Sequence, residues 1–173
     1  MTLRLPLYVA LVSALVFSSI QAGWAQTILP MDSAEGLIIY QGNKVITPSS
    51  KKNTLAVISA WAGEKQVFPP MVFSTINQSK SRIVLKAVTE VPSLKGLHPI
   101  SFKLDILVSR KSFDFRADNF YFEDITLSLE EWLKKYGSSD NERHIKNVDM
   151  ISKEIDSYIF LTLEDLKKRI NSQ

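Results

Sequence analysis

The stretch from Phe102 to Phe115, FKLDILVSRKSFDF, alternates apolar and polar side chains almost without a break. Successive side chains of a β-strand point to opposite faces, so this alternation is typical of half-buried strands. The apolar residues on the two sides of Arg110 and Lys111 share one face if the chain turns between these two residues. We therefore predict an antiparallel hairpin with one buried face and one solvent-facing, charged face.

The side chains on both faces predict the register of this hairpin. Opposite charges directly across a strand pair favour a register by about 0.2–1 kcal/mol each. A slip by one residue would break the charge matches and the apolar match together. Apolar parity fails after Asp118, which predicts a β-bulge or a strand end at Asp118–Asn119. The predicted pairs are Ile106 with Phe115, Asp105 with Arg116, and Lys103 with Asp118.

The first 25 residues have the pattern of a secretory signal peptide. A basic start with Arg4 precedes the uncharged apolar run Leu5–Ile20, and the small residues Gly23 and Ala25 occupy the positions of a cleavage site. We therefore expect cleavage after Ala25 and a secreted or periplasmic protein. The alternative is an uncleaved membrane anchor, because the run approaches the roughly 18 apolar residues of a membrane span.

The composition of the remaining chain narrows the class of protein. Residues 26–173 are enough for a single domain with its own core, and we expect one domain there. The chain has no cysteine, so the core must hold it together without disulfides, and a lipoprotein anchor is excluded. Without Arg4 the formal charge falls from +3 to +2, with acids and bases interspersed, which does not suit nucleic-acid binding. We expect no membrane span after signal cleavage.

The other predicted elements follow from periodicity and from turn residues. Gly36–Gln41 is apolar and β-branched enough for a first strand, and residues 52–65 have helical spacing. Ser128 and Ser139 each precede a glutamate by three residues, which predicts two helix-starting capping boxes, the second opening a long amphipathic helix over about 140–171. Proline and glycine predict a loop at Pro92–Pro99. Strands are predicted at Met71–Asn77 and Arg82–Val91.

The sequence holds little catalytic chemistry. Its two histidines, His98 and His144, are far apart in the chain, and no metal-binding or phosphate-binding motif accompanies them. We therefore predict no metal, no cofactor and no enzymatic activity. His98 and Ser93 lie close in sequence, so a hydrolase that uses His98 with a serine or a carboxylate stays an alternative.

Several short segments of the sequence resemble one protein family. They are LPMDSAEGLIIYQ from Leu29, AVISAW from Ala56, ISFKLDILVSRKSFDFRADNF from Ile100, and the amphipathic last helix. They are similar to a family of secreted bacterial proteins of unknown function with a fold like that of the TATA-box-binding protein (TBP-like). The resemblance implies an α+β domain, a curved antiparallel sheet of about five strands with helices on one face, in the order β-α-β-β-β-β-α. SLEEWLKKYG from Ser128 looks like an addition to this order. The resemblance implies no catalytic residue.

These observations predict an exported, non-catalytic binding module. Its ligand, a protein or a small molecule of the cell envelope or the extracellular space, would bind the open sheet face or adjoining loops. A third hypothesis is an inhibitor that presents the 92–99 loop to a secreted enzyme. The candidate binding residues on the open face are Lys86, Lys103, Asp105, Arg116 and Tyr121.

Overall fold

The computed structural model describes residues 29–64, 66–67, 70–138 and 140–173, and the predicted signal peptide lies outside these ranges. Within them, the strands β1 to β7 and the helices α1 to α3 follow each other along one chain. In order they are β1 Tyr40–Val45, α1 Lys51–Gly63, β2 Gln66–Val67, β3 Pro70–Gln78, β4 Arg82–Ser93, β5 Gly96–Val108, β6 Ser112–Phe122, β7 Leu127–Ser128, α2 Leu129–Tyr136 and α3 Glu142–Asn171.

The described strands form one antiparallel sheet in the order β1-β6-β5-β4-β3-β2, and β7 pairs with the far end of β6. Alternate side chains of β4 and β5 are buried beneath the helices, while those between them, apart from the buried Ser101, are at least partly exposed. The long strands β4, β5 and β6 occupy the middle of the sheet, and the shorter strands β1 and β2 lie at its edges. The predicted antiparallel sheet with helices on one face is confirmed. None of the helices in the described ranges has the length and hydropathy that a bilayer span requires.

The predicted register of the β5–β6 hairpin is confirmed. Ile106 lies opposite Phe115, and the chain turns at Arg110–Lys111, where Ser109 N–H donates to Ser112 O. The register shifts at the predicted bulge, where Asn119 has a φ of 57°. The bulge turns the following aromatic side chains toward the helices, so that Phe102 and Phe120 stack with ring centroids 5.1 Å apart.

The first strand begins later than the predicted Gly36–Gln41. Asp32 Oδ1 accepts the N–H groups of Ala34 and Glu35 in a turn, and Gly36 has a φ of 65°. After this turn, Ile38 and Ile39 pair with Met31 and Pro30, and the ladder with β6 starts at Tyr40. Gly42 does not interrupt the strand, because a Cβ there would lie 3.1 Å from the ring of Phe115. The missing side chain therefore makes room for that ring.

The predicted loop Pro92–Pro99 is mostly strand. Ser93 pairs with Gly96, and only Leu94 and Lys95 connect β4 to β5. In an antiparallel pair only alternate residues donate across the ladder, and both prolines occupy positions where the N–H is not needed for this pairing. The sequence-based prediction of a loop was wrong because it counted prolines without their register.

The helix starts confirm one predicted capping box and correct the other. Ser128 caps α2 and exchanges hydrogen bonds with Glu131 in a complete box. The N-cap of α3 is Asn141, whose side chain accepts from the N–H of Arg143. The asparagine directly before the helix serves as the cap, two residues after the predicted Ser139.

Trp61 of α1 is the largest fully buried side chain of the core. Its ring packs against Phe73 of β3 with centroids 4.6 Å apart, and its indole Nε1 donates to Asp165 Oδ2 of α3 at 2.8 Å. Trp61 thus joins both long helices to the β3 side of the sheet. Phe115, near the opposite edge, contributes instead to a cleft beside β1.

Candidate functional site

The five candidate binding residues lie on the sheet face away from the helices, called here the open face. Its charged side chains engage each other rather than solvent alone. Lys86 Nζ lies 3.0 Å from Glu123 Oε1, and Lys103 Nζ lies 2.9 Å from Asp118 Oδ1. Tyr121 is half-buried between Ser101 and Ser128 on neighbouring strands. The structure thus brings the candidate residues onto one surface, already supplied with counter-charges.

The predicted ion pair between Asp105 and Arg116 is not formed. The two residues are cross-strand neighbours as predicted, but Asp105 accepts two hydrogen bonds from Arg82 of β4. Arg116 instead donates to Asp118 at 2.6 Å and to Glu35 at 2.9 Å. The prediction considered one strand pair alone, whereas the sheet offers each carboxylate a partner on both sides.

The pKa values of the open face reflect this mutual pairing. Hydrogen bonds to Asp105 raise the pKa of Arg82, and hydrogen bonds to Asp118 and Glu35 raise the pKa of Arg116. The pKa of Glu123 is lowered, first by a hydrogen bond from Ser101 and then by Lys86. The charged forms are therefore stabilised by neighbours within the domain, and a ligand would have to compete with them.

A second surface, called here the β1–α3 cleft, has a different character. It encloses about 340 Å³ between the edge strand β1 and the middle of α3. Ligand pockets typically have volumes of about 300–1,000 Å³ and mostly apolar walls with a few polar groups. The apolar side chains of this cleft are Pro30, Ile39, Phe115, Ile159, Phe160 and Leu163. Phe160, at 58% exposure, is a large aromatic side chain on the otherwise polar flank of α3.

Three polar side chains give the β1–α3 cleft its chemistry. The hydroxyl of Tyr40 is buried, and its polar contact is a weak hydrogen bond with Asp156 of α3. Burial first, then the negative charge of Asp156 and this hydrogen bond, raise the pKa of Tyr40, so this group stays protonated. Lys44 forms an ion pair of 2.6 Å with Glu164, and its ammonium lies 5.7 Å from the centroid of the Phe160 ring.

Asp156 is the acidic group of this cleft that lacks an ion pair within the described ranges. Lys44 is engaged by Glu164, whose pKa is lowered by the hydrogen bond from Lys44, with a smaller contribution from Lys167. The cleft therefore combines aromatic surface with one carboxylate that has no cationic partner. That combination suits a ligand with an apolar body and a positive charge.

A smaller cleft of about 150 Å³ brings the two histidines together. His98 Nδ1 lies 2.6 Å from Asp124 Oδ2, and His98 also contacts the edge of the Phe122 ring. His144 of α3 packs against Tyr136 of α2 and lines the same cleft. Because these residues are distant in sequence, their proximity was not predictable from spacing.

Among the described residues, the histidine cleft shows no nucleophile hydrogen-bonded to His98. Ser93 Oγ accepts the N–H of Lys95 at 3.1 Å, and no hydrogen bond between described residues joins Ser93 to His98. A histidine–carboxylate pair orients an imidazole but supplies no nucleophile. The described residues also contain no group of three or more side chains suited to hold a metal ion.

The comparisons with known proteins concern the fold. No family model and no curated protein matches the sequence. Two solved structures are similar to this chain. A TBP-like protein from Parabacteroides distasonis ATCC 8503 shares 17% identity at a TM-score of 0.56, over 82% of this chain and 96% of that one. A DUF4468 family protein from Bacteroides ovatus ATCC 8483 shares 10% identity at a TM-score of 0.60, over 86% of this chain and 96% of that one.

At these identities the likeness shows the fold and nothing more. The predicted TBP-like architecture is therefore confirmed. A fold does not determine an activity or a ligand, so the function of this chain has to come from its own sites.

Proposed function

We propose that this domain is a non-catalytic binding module whose ligand occupies the β1–α3 cleft. The size and lining of the cleft carry this proposal: it has about 340 Å³ between mostly apolar walls, and the carboxylate of Asp156 has no ion pair among the described residues. Ligand pockets typically combine such walls with a few polar groups. The buried hydroxyl of Tyr40 makes only a weak hydrogen bond with Asp156, so a ligand that bonds to this hydroxyl would replace a weak contact.

The contrast with the open face supports this choice of site. The predicted residues Lys86, Lys103, Asp105 and Arg116 already have ionic partners, so a ligand there would exchange one ion pair for another. The exposed pair of Lys86 with Glu123 contributes only about 0–1 kcal/mol, so its exchange yields little affinity. A ligand that drew Lys103 or Arg116 away from Asp118 would leave a buried carboxylate without its compensating charge. Binding at the open face stays a prediction of the sequence.

Nuclear magnetic resonance of the ¹⁵N-labelled protein tests the proposed site. The probes are phenethylamine and tryptamine, with phenylpropionic acid as the anionic counterpart. We expect amide shifts around Tyr40, Phe115 and Phe160, larger for the amines than for the acid. Phe160→Ala should remove the shifts, and the matched control Leu107→Ala, at an exposed leucine of the open face, should keep them. Shifts confined to the open face or the histidine cleft, or no shift at all, would overturn the proposal.

A secreted hydrolase is the second candidate, because His98 and Asp124 form a close pair beside a cleft. It predicts turnover of an ester, peptide or glycoside substrate that His98→Ala abolishes. His144→Ala is the matched control, since this histidine lines the same cleft and packs against Tyr136. Activity unaffected by His98→Ala would exclude this mechanism.

We also propose that the protein is exported, on the strength of the apolar run Leu5–Ile20 and the small residues before Gln26. Mass spectrometry of the protein recovered from the producing cells should find an N-terminus at Gln26. A full-length chain extracted from membranes would support the anchor interpretation instead.

A further inference from the structure

The outer backbone edge of β1 is open to a further strand from Gln41 to Val45. Just before β1, the outer side is already paired, because the N–H of Ile39 donates to Pro30 O at 2.9 Å and Met31 bridges to Ile38. Ile46 N–H donates to Lys111 O at 2.9 Å just beyond β1, which sets the phase of the β1–β6 ladder. Because antiparallel pairs alternate, the N–H and C=O groups of Gln41, Asn43 and Val45 point away from β6. Among the described residues, no group forms a hydrogen bond with these outward N–H and C=O groups.

The other edge of the sheet is less suited to accept a strand. There β2 already pairs with the start of β3, at Met71 and Pro70. A register shift between Thr75 and Asn77 interrupts the rest of β3. Bulges and covering segments are the usual protection of sheet edges. β1 has a continuous register with β6 over its six residues, and the paired segment of Pro30 and Met31 covers only the residues before it.

The β1–α3 cleft lies beside this open edge on the helix side of the sheet. Tyr40, Gly42 and Lys44 share the face of β1 that looks toward α3, because they pair with the helix-side residues of β6. Gly42 leaves the ring of Phe115 uncovered at the floor of the cleft. A strand added to β1 would therefore direct alternate side chains over this floor and against Phe160.

The chemistry of the cleft selects the side chain that enters it. Its walls are aromatic and aliphatic, and Asp156 lacks an ion pair within the described residues. A lysine or arginine has an apolar stem for such walls and a cationic end for the carboxylate and for an aromatic face. An acidic side chain would meet Asp156 and Glu164 instead.

We infer that the ligand of the β1–α3 cleft is an extended peptide, which adds a strand to the outer edge of β1 and places a lysine or arginine side chain in the cleft. This inference rests on the proposed function and names its ligand class. Main-chain hydrogen bonds to β1 supply affinity, and the pocket for one side chain supplies specificity, as in other proteins that bind peptides by strand addition.

The test uses two pools of random octapeptides, with arginine fixed at the fourth position in one and glutamate in the other. The protein, expressed from its full coding sequence, is immobilised and the retained peptides are quantified. We expect the arginine pool to be retained about tenfold more than the glutamate pool, the factor that corresponds to about 1.4 kcal/mol. Equal retention of both pools would overturn the inference.

Asn43→Pro tests the strand addition itself. Proline removes the outward N–H of residue 43, which the ladder with β6 does not use, so the fold should be retained. Asn43→Ala is the matched control, since both variants lose the 2.7 Å hydrogen bond from Asn43 to Asp114. We expect retention of the arginine pool to fall about tenfold in Asn43→Pro and to persist in Asn43→Ala.

Asp156→Asn tests the side-chain pocket without altering the backbone. It should abolish the preference for arginine over glutamate while leaving the melting temperature unchanged, because Asp156 is exposed. Unchanged retention in Asn43→Pro, or an unchanged arginine preference in Asp156→Asn, would refute the inference that the ligand is an extended peptide. If amines still shift the cleft resonances while no peptide is retained, the peptide inference is refuted and the proposed binding site is retained.

Discussion

The open face and the β1–α3 cleft belong to the same sheet, but they differ in how their charged groups are paired. On the open face Arg82, Lys103 and Arg116 each form an ion pair with a carboxylate of the same domain. In the mostly apolar cleft, Asp156 has no ion pair among the described residues, and the buried hydroxyl of Tyr40 makes only a weak hydrogen bond with it. Ion pairs within the domain stabilise the fold, whereas a carboxylate without a cationic partner is available to a ligand. The difference separates residues that maintain this domain from those available to a ligand.

The open face should respond to mutation mainly through stability. Asp118 is only 3% exposed and depends on Lys103 and Arg116 for its compensating charge. Replacing both cations by alanine leaves a buried carboxylate unpaired, which typically costs 3–5 kcal/mol. Both cations are about one-third exposed, so water offsets part of the loss and we expect about 3 kcal/mol.

Urea unfolding of this double variant measures that largest effect. The matched control adds Asp118→Asn, which removes the unpaired charge and should restore much of the stability. A double variant as stable as the parent protein would show that the open-face ion pairs do not maintain the fold, and the contrast with the cleft would disappear.

The cleft should respond in the opposite way. Tyr40→Phe removes the buried hydroxyl and keeps the ring, which packs edge-on against Phe120 with centroids 5.8 Å apart. We expect the free energy of unfolding to stay equal or rise by up to about 1 kcal/mol, while binding of the amine probes weakens. Thermal unfolding and the same resonance titration measure both. A loss of more than about 1 kcal/mol would show that the hydroxyl already has a stabilising partner.

Acid should weaken both regions by a small amount. The pKa values of Glu123 on the open face and Glu164 at the cleft are lowered from the ordinary 4.5. A carboxylate with a lowered folded-state pKa contributes stability above its unfolded value and loses it as the pH falls through the folded value. Each contribution is therefore complete at pH 7 and disappears below pH 4.5. Both groups are exposed, so we expect about 0.2–1 kcal/mol each.

Urea unfolding at pH 7 and at pH 3 of Glu123→Gln and Glu164→Gln measures these contributions. In each variant, the difference in the free energy of unfolding between pH 7 and pH 3 should decrease by the contribution of the replaced carboxylate. An unchanged difference in Glu164→Gln would mean that its ion pair with Lys44 adds nothing to stability, and the cleft would then contain a second weakly held charge.

The sequence predicted features that depend on neighbours along the chain. The β5–β6 register followed from alternation, and the bulge at Asn119 followed from the parity of Phe120 and Phe122. The Ser128 capping box followed from a spacing of three residues. In each case the interacting groups lie within one hairpin or one helical turn, so their chemistry is visible in a short window.

The sequence did not identify the candidate site. Tyr40 was assigned to a first strand, and Asp156 was one of many charges on a helix; only the aromatic Phe160 beside the apolar stripe of α3 offered a signal. The tertiary structure placed β1 at the sheet edge beside β6 and brought α3 against it. In the tertiary structure, Asp105 also pairs with Arg82 instead of Arg116, and His98 and His144 line one cleft.

What this sequence determined by itself is the sheet, its buried face, the central register and the amphipathic helices, because period and parity act locally. What only the tertiary structure decided is which polar groups find partners. That outcome depends on strands and helices distant in sequence competing for the same carboxylates, and on packing that buries the hydroxyl of Tyr40 beside Asp156.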